Sequence, residues 1–217
     1  MAGLWEQAPQ ERCCYHNRVS NPPNSPKLPK LKTVFRTVFL DRDGVINRKM
    51  PEGQYVTGWE HFDLLPGVAE AIAALNRKGL LVVVVTNQRG IALGLYSAED
   101  VKDIHEKLQL TLAESGAHVD GFYFCPHDKR QCDCRKPGPG LFTQAKADFP
   151  EITPESSVII GDSLSDIEFG RNLGLQTVFI EGHREHRKPG ASKAAELANI
   201  SFSALPDAVD YLLASSS

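Results

Sequence analysis

The sequence has no apolar run that could cross a membrane. Residues 80–85 are the most continuous candidate, and a span needs about 20 residues. The N-terminus shows no basic-then-apolar leader pattern, so the expected location is the cytoplasm. The net charge of −3 provides no general attraction to nucleic acid or to an anionic membrane. Neither partner is expected, and the chain is expected to act as a monomer. A disulfide framework is also missing: of five cysteines, Cys125, Cys132 and Cys134 cluster with His127, while Cys13 and Cys14 sit apart. An odd cluster and an adjacent pair fit metal binding better than paired bridges. No internal repeat is present.

What is there is 217 residues, 41% hydrophobic, enough for one domain with a sizeable core and short for two. Residues 1–32 hold five prolines and little apolar periodicity, which predicts a mobile N-terminal arm ahead of a domain at 33–217. Cys13, Cys14 and His16 in that arm read as an unstructured surface group. From there strands and helices alternate. Strands are expected at 34–40, 80–85, 121–124, 158–160, 176–180 and 200–202. Helices are expected where Val68, Ile72 and Leu75 recur, then Val101, Ile104, Leu108 and Leu112, then Leu141, Phe142 and Ala145, then 167–173, then Leu205, Val209 and Leu212. The apolar run 80–85 suits a strand covered on both faces. The pattern predicts an α/β three-layer fold with a mostly parallel central sheet.

Three of the expected strands run straight into polar signatures: Asp41-Arg42-Asp43-Gly44, Thr86-Asn87-Gln88-Arg89-Gly90 and Gly161-Asp162-Ser163-Leu164-Ser165-Asp166. An isolated Asp-x-Asp is usually a solvated turn. Three such ends in one parallel sheet point to a single convergent site. Alternate residues of an extended segment face the same way, so Asp41 and Asp43 can share it, one as nucleophile and one as proton shuttle. The chemistry that fits is phosphoryl transfer. A divalent cation on Asp41 and Asp162 would offset the repulsion between carboxylate and phosphate, and oxygen-only ligands favour Mg²⁺. Thr86 and backbone N–H groups would hold phosphate oxygens, with Lys136 adding positive charge.

These segments, with Asn47 closing the first and Arg135-Lys136-Pro137 between the second and third, resemble the four motifs of haloacid-dehalogenase (HAD)-type phosphatases. Within them the chain is similar to the histidinol-phosphatase and heptose-bisphosphate-phosphatase branch, subclass IIIA, over residues 34–180. The resemblance implies a Rossmann-like sandwich without a large cap domain. It implies that Asp41 forms an aspartyl-phosphate and that Asp43 protonates the leaving oxygen and then activates water. Thr86 and Lys136 would stabilise the phosphoryl group. Mg²⁺ would be held by Asp41, the Asp43 carbonyl and Asp162, with Asp166 supporting the metal.

Cys125, His127, Cys132 and Cys134 place four zinc-type ligands within ten residues. A Cys₃His set leaves no open position, so the expected Zn²⁺ is structural. The resembled branch has a zinc loop here as well. Zinc would aim Arg135 and Lys136 at the site. Arg48 and Lys49 read as solvated surface charge. Arg89 and Arg135 are better placed to grip a second anionic group of the substrate, with Asn87 and Gln88 also expected to bind it. The stretch 86–94 resembles the heptose-bisphosphate side of the branch. The expected substrate is thus a small phosphorylated sugar, D-glycero-D-manno-heptose 1,7-bisphosphate first, with histidinol phosphate or another sugar phosphate as the alternative. A non-catalytic zinc module is the reading from another class, and the intact Asp41, Asp43, Lys136 and Asp162 argue against it.

Overall fold

The computed structural model describes residues 34–182 and 190–215. The expected N-terminal arm, with Cys13, Cys14 and His16, lies outside the described residues. Six strands form one sheet: β1 Thr37–Leu40, β2 Leu81–Asn87, β3 Gly121–Cys125, β4 Ser157–Gly161, β5 Gln176–Ile180 and β6 Ile200–Phe202. Their order is β3-β2-β1-β4-β5-β6, and each neighbouring pair is parallel. The helices between them are α1 Val68–Arg77, α2 Ala98–Ala113, α3 Gly140–Asp148, α4 Leu164–Leu173, α5 Ala191–Leu197 and α6 Leu205–Ser215.

Strand alternation splits the core into two layers. Val38, Leu40, Val82, Val84, Val158 and Ile160 face one side, against Ile72 and Leu75 of α1, Leu108 and Leu112 of α2, and Val209 and Leu212 of α6. Phe39, Val83, Val85 and Ile159 face the other, against Leu141 and Phe142 of α3 and Phe169 of α4. Both sheet faces are therefore covered, which is why residues 81–85 read as one apolar run rather than an alternating one.

Two expectations change. The first strand begins at Thr37 and not at residue 34: Val34 is 70% exposed, and an apolar residue with no layer above it adds nothing to the sheet. Helix α5 carries no apolar stripe in the sequence, because Ala194 is its one buried residue.

Candidate active site

The strand order reverses between β1 and β4, and ligands in open parallel sheets bind at the carboxyl ends of strands at such a point. Asp41 leaves β1 there and Asp162 leaves β4. The Asp41 N–H still donates to the Ile160 carbonyl at 2.9 Å, so the loop begins as an extension of the ladder. The Arg42 carbonyl then accepts from the N–H groups of Ile46 at 2.8 Å and Asn47 at 3.2 Å, which turns the chain back. Gly44 has φ +103°, and any side chain there would collide with the Asp162 carboxylate. Glycine thus lets the first and fourth loops close on each other.

Asp43 sits in a dense set of donors. Its carboxylate accepts from Arg42 Nη2 at 2.9 and 3.0 Å, Asn47 Nδ2 at 3.0 Å and Gln88 Nε2 at 3.0 Å. Burial would push its pKa up, but the Arg42 guanidinium and these hydrogen bonds outweigh burial and hold it below the ordinary value. Arg42 is itself buried and lies 6.0 Å from the Phe62 ring centroid. Arg42 and Asn47 had no assigned role in the sequence. The available signal was alternation: a charged residue between two site carboxylates on an extended segment must point into the protein, where it needs a partner.

Lys136 reaches the site from the loop before α3 and is almost wholly buried. Its Nζ lies 3.0 Å from Asp41 Oδ1 and 2.5 Å from Asp166 Oδ1, and it donates to the Val85 carbonyl at 2.6 Å. Burial would push its pKa down, but the Asp166 and Asp41 carboxylates outweigh that and raise it, so Lys136 is charged at neutral pH. Asp166 Oδ2 accepts from the N–H and hydroxyl of Ser163. Asp166 therefore spans α4's first turn and Lys136.

Asn87 and Gln88, expected to touch substrate, have their amides engaged inside the protein. Asn87 donates to the Lys136 carbonyl at 3.1 Å and accepts from the Lys136 N–H at 3.0 Å. Gln88 is 2% exposed and donates to Thr86 Oγ1 at 3.0 Å as well as to Asp43. Lys49 is not a solvated charge: its side chain is 12% exposed and pairs with Asp162. Arg48 does stay at the surface, paired with Asp63.

Carboxylate oxygens of Asp41, Asp162 and Asp166 lie within 4.8 Å of one another. An all-oxygen set of this kind fits a hard divalent cation such as Mg²⁺. The Cys125, His127, Cys132 and Cys134 ligand atoms also converge within 4.8 Å, with sulfur separations of 3.1–3.5 Å. Those edges are near the roughly 3.8 Å edge of a tetrahedron with 2.3 Å Zn–S bonds, so the donor set fits zinc. Arg89 binds Asp128 of this loop with both Nε and Nη2, at 2.5 and 3.3 Å. That pair ties the loop after β2 to the cysteine loop and occupies a guanidinium expected to grip substrate. Arg135 is half-buried and donates to the His127 carbonyl at 3.4 Å.

A strand-end carboxylate, a second carboxylate two residues on, a buried lysine and a cluster of carboxylates that fits a divalent cation at the switch point are the arrangement of a HAD-type phosphatase, a phosphoric monoester hydrolase. The HAD-hydrolase-like family model matches residues 133–208. A Mycobacterium tuberculosis protein named D-glycero-alpha-D-manno-heptose-1,7-bisphosphate 7-phosphatase is 43% identical over 169 residues, 77% of this chain and 86% of its own length. A Vibrio cholerae relative named for the beta anomer is 39% identical over 184 residues, 81% of this chain and 95% of its own. Among solved structures, the D,D-heptose 1,7-bisphosphate phosphatase of B. bronchiseptica, complexed with magnesium and phosphate, superimposes with a TM-score of 0.72. It is 28% identical and covers 83% of this chain and 99% of its own. The chain belongs to the heptose-1,7-bisphosphate 7-phosphatase family of HAD-type hydrolases.

Proposed function

We propose that the protein removes the 7-phosphate of D-glycero-D-manno-heptose 1,7-bisphosphate through an aspartyl-phosphate on Asp41. The observation that carries this reading is the convergence of Asp41, Asp43, Thr86, Lys136 and Asp162 on one sheet edge in a chain 43% identical to a protein named for that reaction.

Asp41 attacks phosphorus with a carboxylate oxygen, and the bond to the sugar oxygen breaks. Asp43 gives that oxygen its proton, so the sugar departs as an alcohol and Asp43 remains as a carboxylate. It then takes a proton from water as the water oxygen attacks the aspartyl-phosphate, which releases inorganic phosphate and restores Asp41. In the resting site Arg42, Asn47 and Gln88 favour the ionised form of Asp43. An arriving phosphate anion opposes that preference and favours the protonated form the first half needs. Lys136 and the Thr86 hydroxyl hold phosphoryl oxygens. Mg²⁺, held by Asp41, the Asp43 carbonyl and Asp162, would offset the charge between nucleophile and phosphate. Zinc on Cys125, His127, Cys132 and Cys134 would be structural and would shape the mouth of the site. There Arg135 is the cation for the distal phosphate, since Arg89 is committed to Asp128.

The test is phosphate release with Mg²⁺ from both anomers of heptose 1,7-bisphosphate, histidinol phosphate and an aryl phosphate, compared by kcat/KM. The bisphosphate should lead by at least about tenfold. A lead for histidinol phosphate would move the enzyme to the other side of the branch.

A further inference from the structure

Tyr96 follows the loop after β2, immediately before the α2 cap Ser97, and had no role in the sequence reading. It is 8% exposed, and its hydroxyl donates to Gln88 Oε1 at 2.7 Å. The Gln88 side chain then uses its nitrogen twice, toward Asp43 Oδ2 and toward Thr86 Oγ1, each at 3.0 Å. The direction of this chain is set by chemistry. A carboxylate can only accept, so Gln88 must turn its NH₂ to Asp43 and its oxygen to Tyr96. Burial, the main influence, pushes Tyr96 to about 12 while Arg42 opposes it, so the phenol keeps its proton and remains a donor. Gly90 makes room for the ring: a Cβ there would overlap Tyr96 Cε1.

The consequence reaches two reacting groups at once. Asp43 is fixed in orientation by a donor that cannot rotate. Thr86 Oγ1 accepts from Gln88, so its own O–H is directed away from Gln88 and available to a phosphoryl oxygen. We propose that Tyr96 is a positioning residue, which locks the Gln88 amide and through it sets both the proton-transferring carboxylate and the phosphate-binding hydroxyl. This rests on the phosphatase reading above and extends it to a residue that touches neither substrate nor metal.

The test is a double-mutant cycle of Tyr96→Phe and Gln88→Met, with kcat and KM measured on heptose 1,7-bisphosphate and on p-nitrophenyl phosphate. Removing one buried hydrogen bond should lower kcat on the bisphosphate about tenfold with KM within about twofold. The aryl phosphate, whose leaving group needs little protonation, should lose only about threefold. In the Gln88→Met background Tyr96→Phe should change kcat by less than about twofold, since the path through Gln88 is already cut. Gly90→Ala, which displaces the ring without altering Gln88, should reproduce the tenfold and threefold pattern, and thermal unfolding confirms that each variant is folded. Equal losses on both substrates, or a Tyr96→Phe effect as large in the Gln88→Met background as in wild type, would overturn the proposal. A wild type with no Mg²⁺-dependent phosphate release would overturn the phosphatase reading itself, which is a separate result.

Discussion

The two loops that meet at the Asp41–Lys136 pair are held by different means. In residues 41–47 every side chain is buried or half-buried, and the turn is closed by backbone bonds to Arg42 and by the Asp43 donor set. In residues 126–139 Lys136 alone is buried, and apart from Cys132 and Cys134, which pack on the core, the loop has little apolar contact to order it. Beyond its local turn hydrogen bonds, that loop is gathered by its four metal-type ligands and tied down by the Arg89–Asp128 pair. Yet its one buried residue has partners of its own outside the loop. Asn87 clasps the Lys136 peptide on both sides, and Asp41, Asp166 and the Val85 carbonyl hold its ammonium. Lys136 and the adjacent Arg135 therefore belong to different regimes: one is held at the sheet edge, the other sits on the loop.

Asn87→Ala attacks the first regime and should have the larger effect. It leaves the buried Lys136 N–H and carbonyl without their partner, so kcat should fall about 10- to 100-fold on every substrate, aryl phosphate included. An unchanged kcat would show that the Lys136 ammonium contacts suffice alone. Arg135→Ala attacks the second. It should lower kcat/KM about 10- to 100-fold on the bisphosphate and by less than about threefold on the aryl phosphate. Equal slowing of both would remove Arg135 from substrate binding.

Cys132→Ser separates the regimes most sharply. Zinc content, measured by elemental analysis, should drop from about one per chain, and KM for the bisphosphate should rise several-fold as Arg135 loses its setting. The kcat on aryl phosphate should stay within about threefold, because the Asn87 clasp is intact. A collapse of that kcat would mean that the loop ligands position Lys136 after all.

The smallest effect at neutral pH belongs to His105, which is buried in α2 and stacked on Phe122 with ring centroids 4.5 Å apart. Burial, with Arg42 adding to it and Asp43 opposing, pushes its pKa to about 3. Unfolded, it titrates near 6.5. Between those values the unfolded chain binds more protons, so stability falls as pH falls below about 6.5. This contribution amounts to about 2 kcal/mol by pH 5. His105→Leu should lose less stability than wild type between pH 7.5 and pH 5 in denaturant titrations. Parallel losses would contradict a neutral buried His105.

Much of this was legible in the sequence. The apolar run of β2 and the stripes of α1 and α2 made the layers readable, because burial on one or both faces leaves a period in the residues. The three polar strand ends announced the site by residue type. The partners of individual side chains were not legible. Asn87 and Gln88 read as substrate ligands because an amide beside a phosphate site is a natural donor, but their partners, Lys136 and Asp43, are 49 and 45 residues away in the chain. Lys49 read as surface charge because nothing local reveals that its loop folds over Asp162, 113 residues on. Helix α5 was missed because one buried alanine makes no pattern.

Asp41→Asn tests the central claim most directly, with phosphate release from heptose 1,7-bisphosphate and Mg²⁺ followed beside wild type. An amide cannot form the acyl-phosphate, so a folded Asp41→Asn sample should lose at least about 10⁴-fold in kcat, while wild type releases the 7-phosphate and leaves the 1-phosphate in place. Turnover by Asp41→Asn within about tenfold of wild type would contradict Asp41 as the nucleophile.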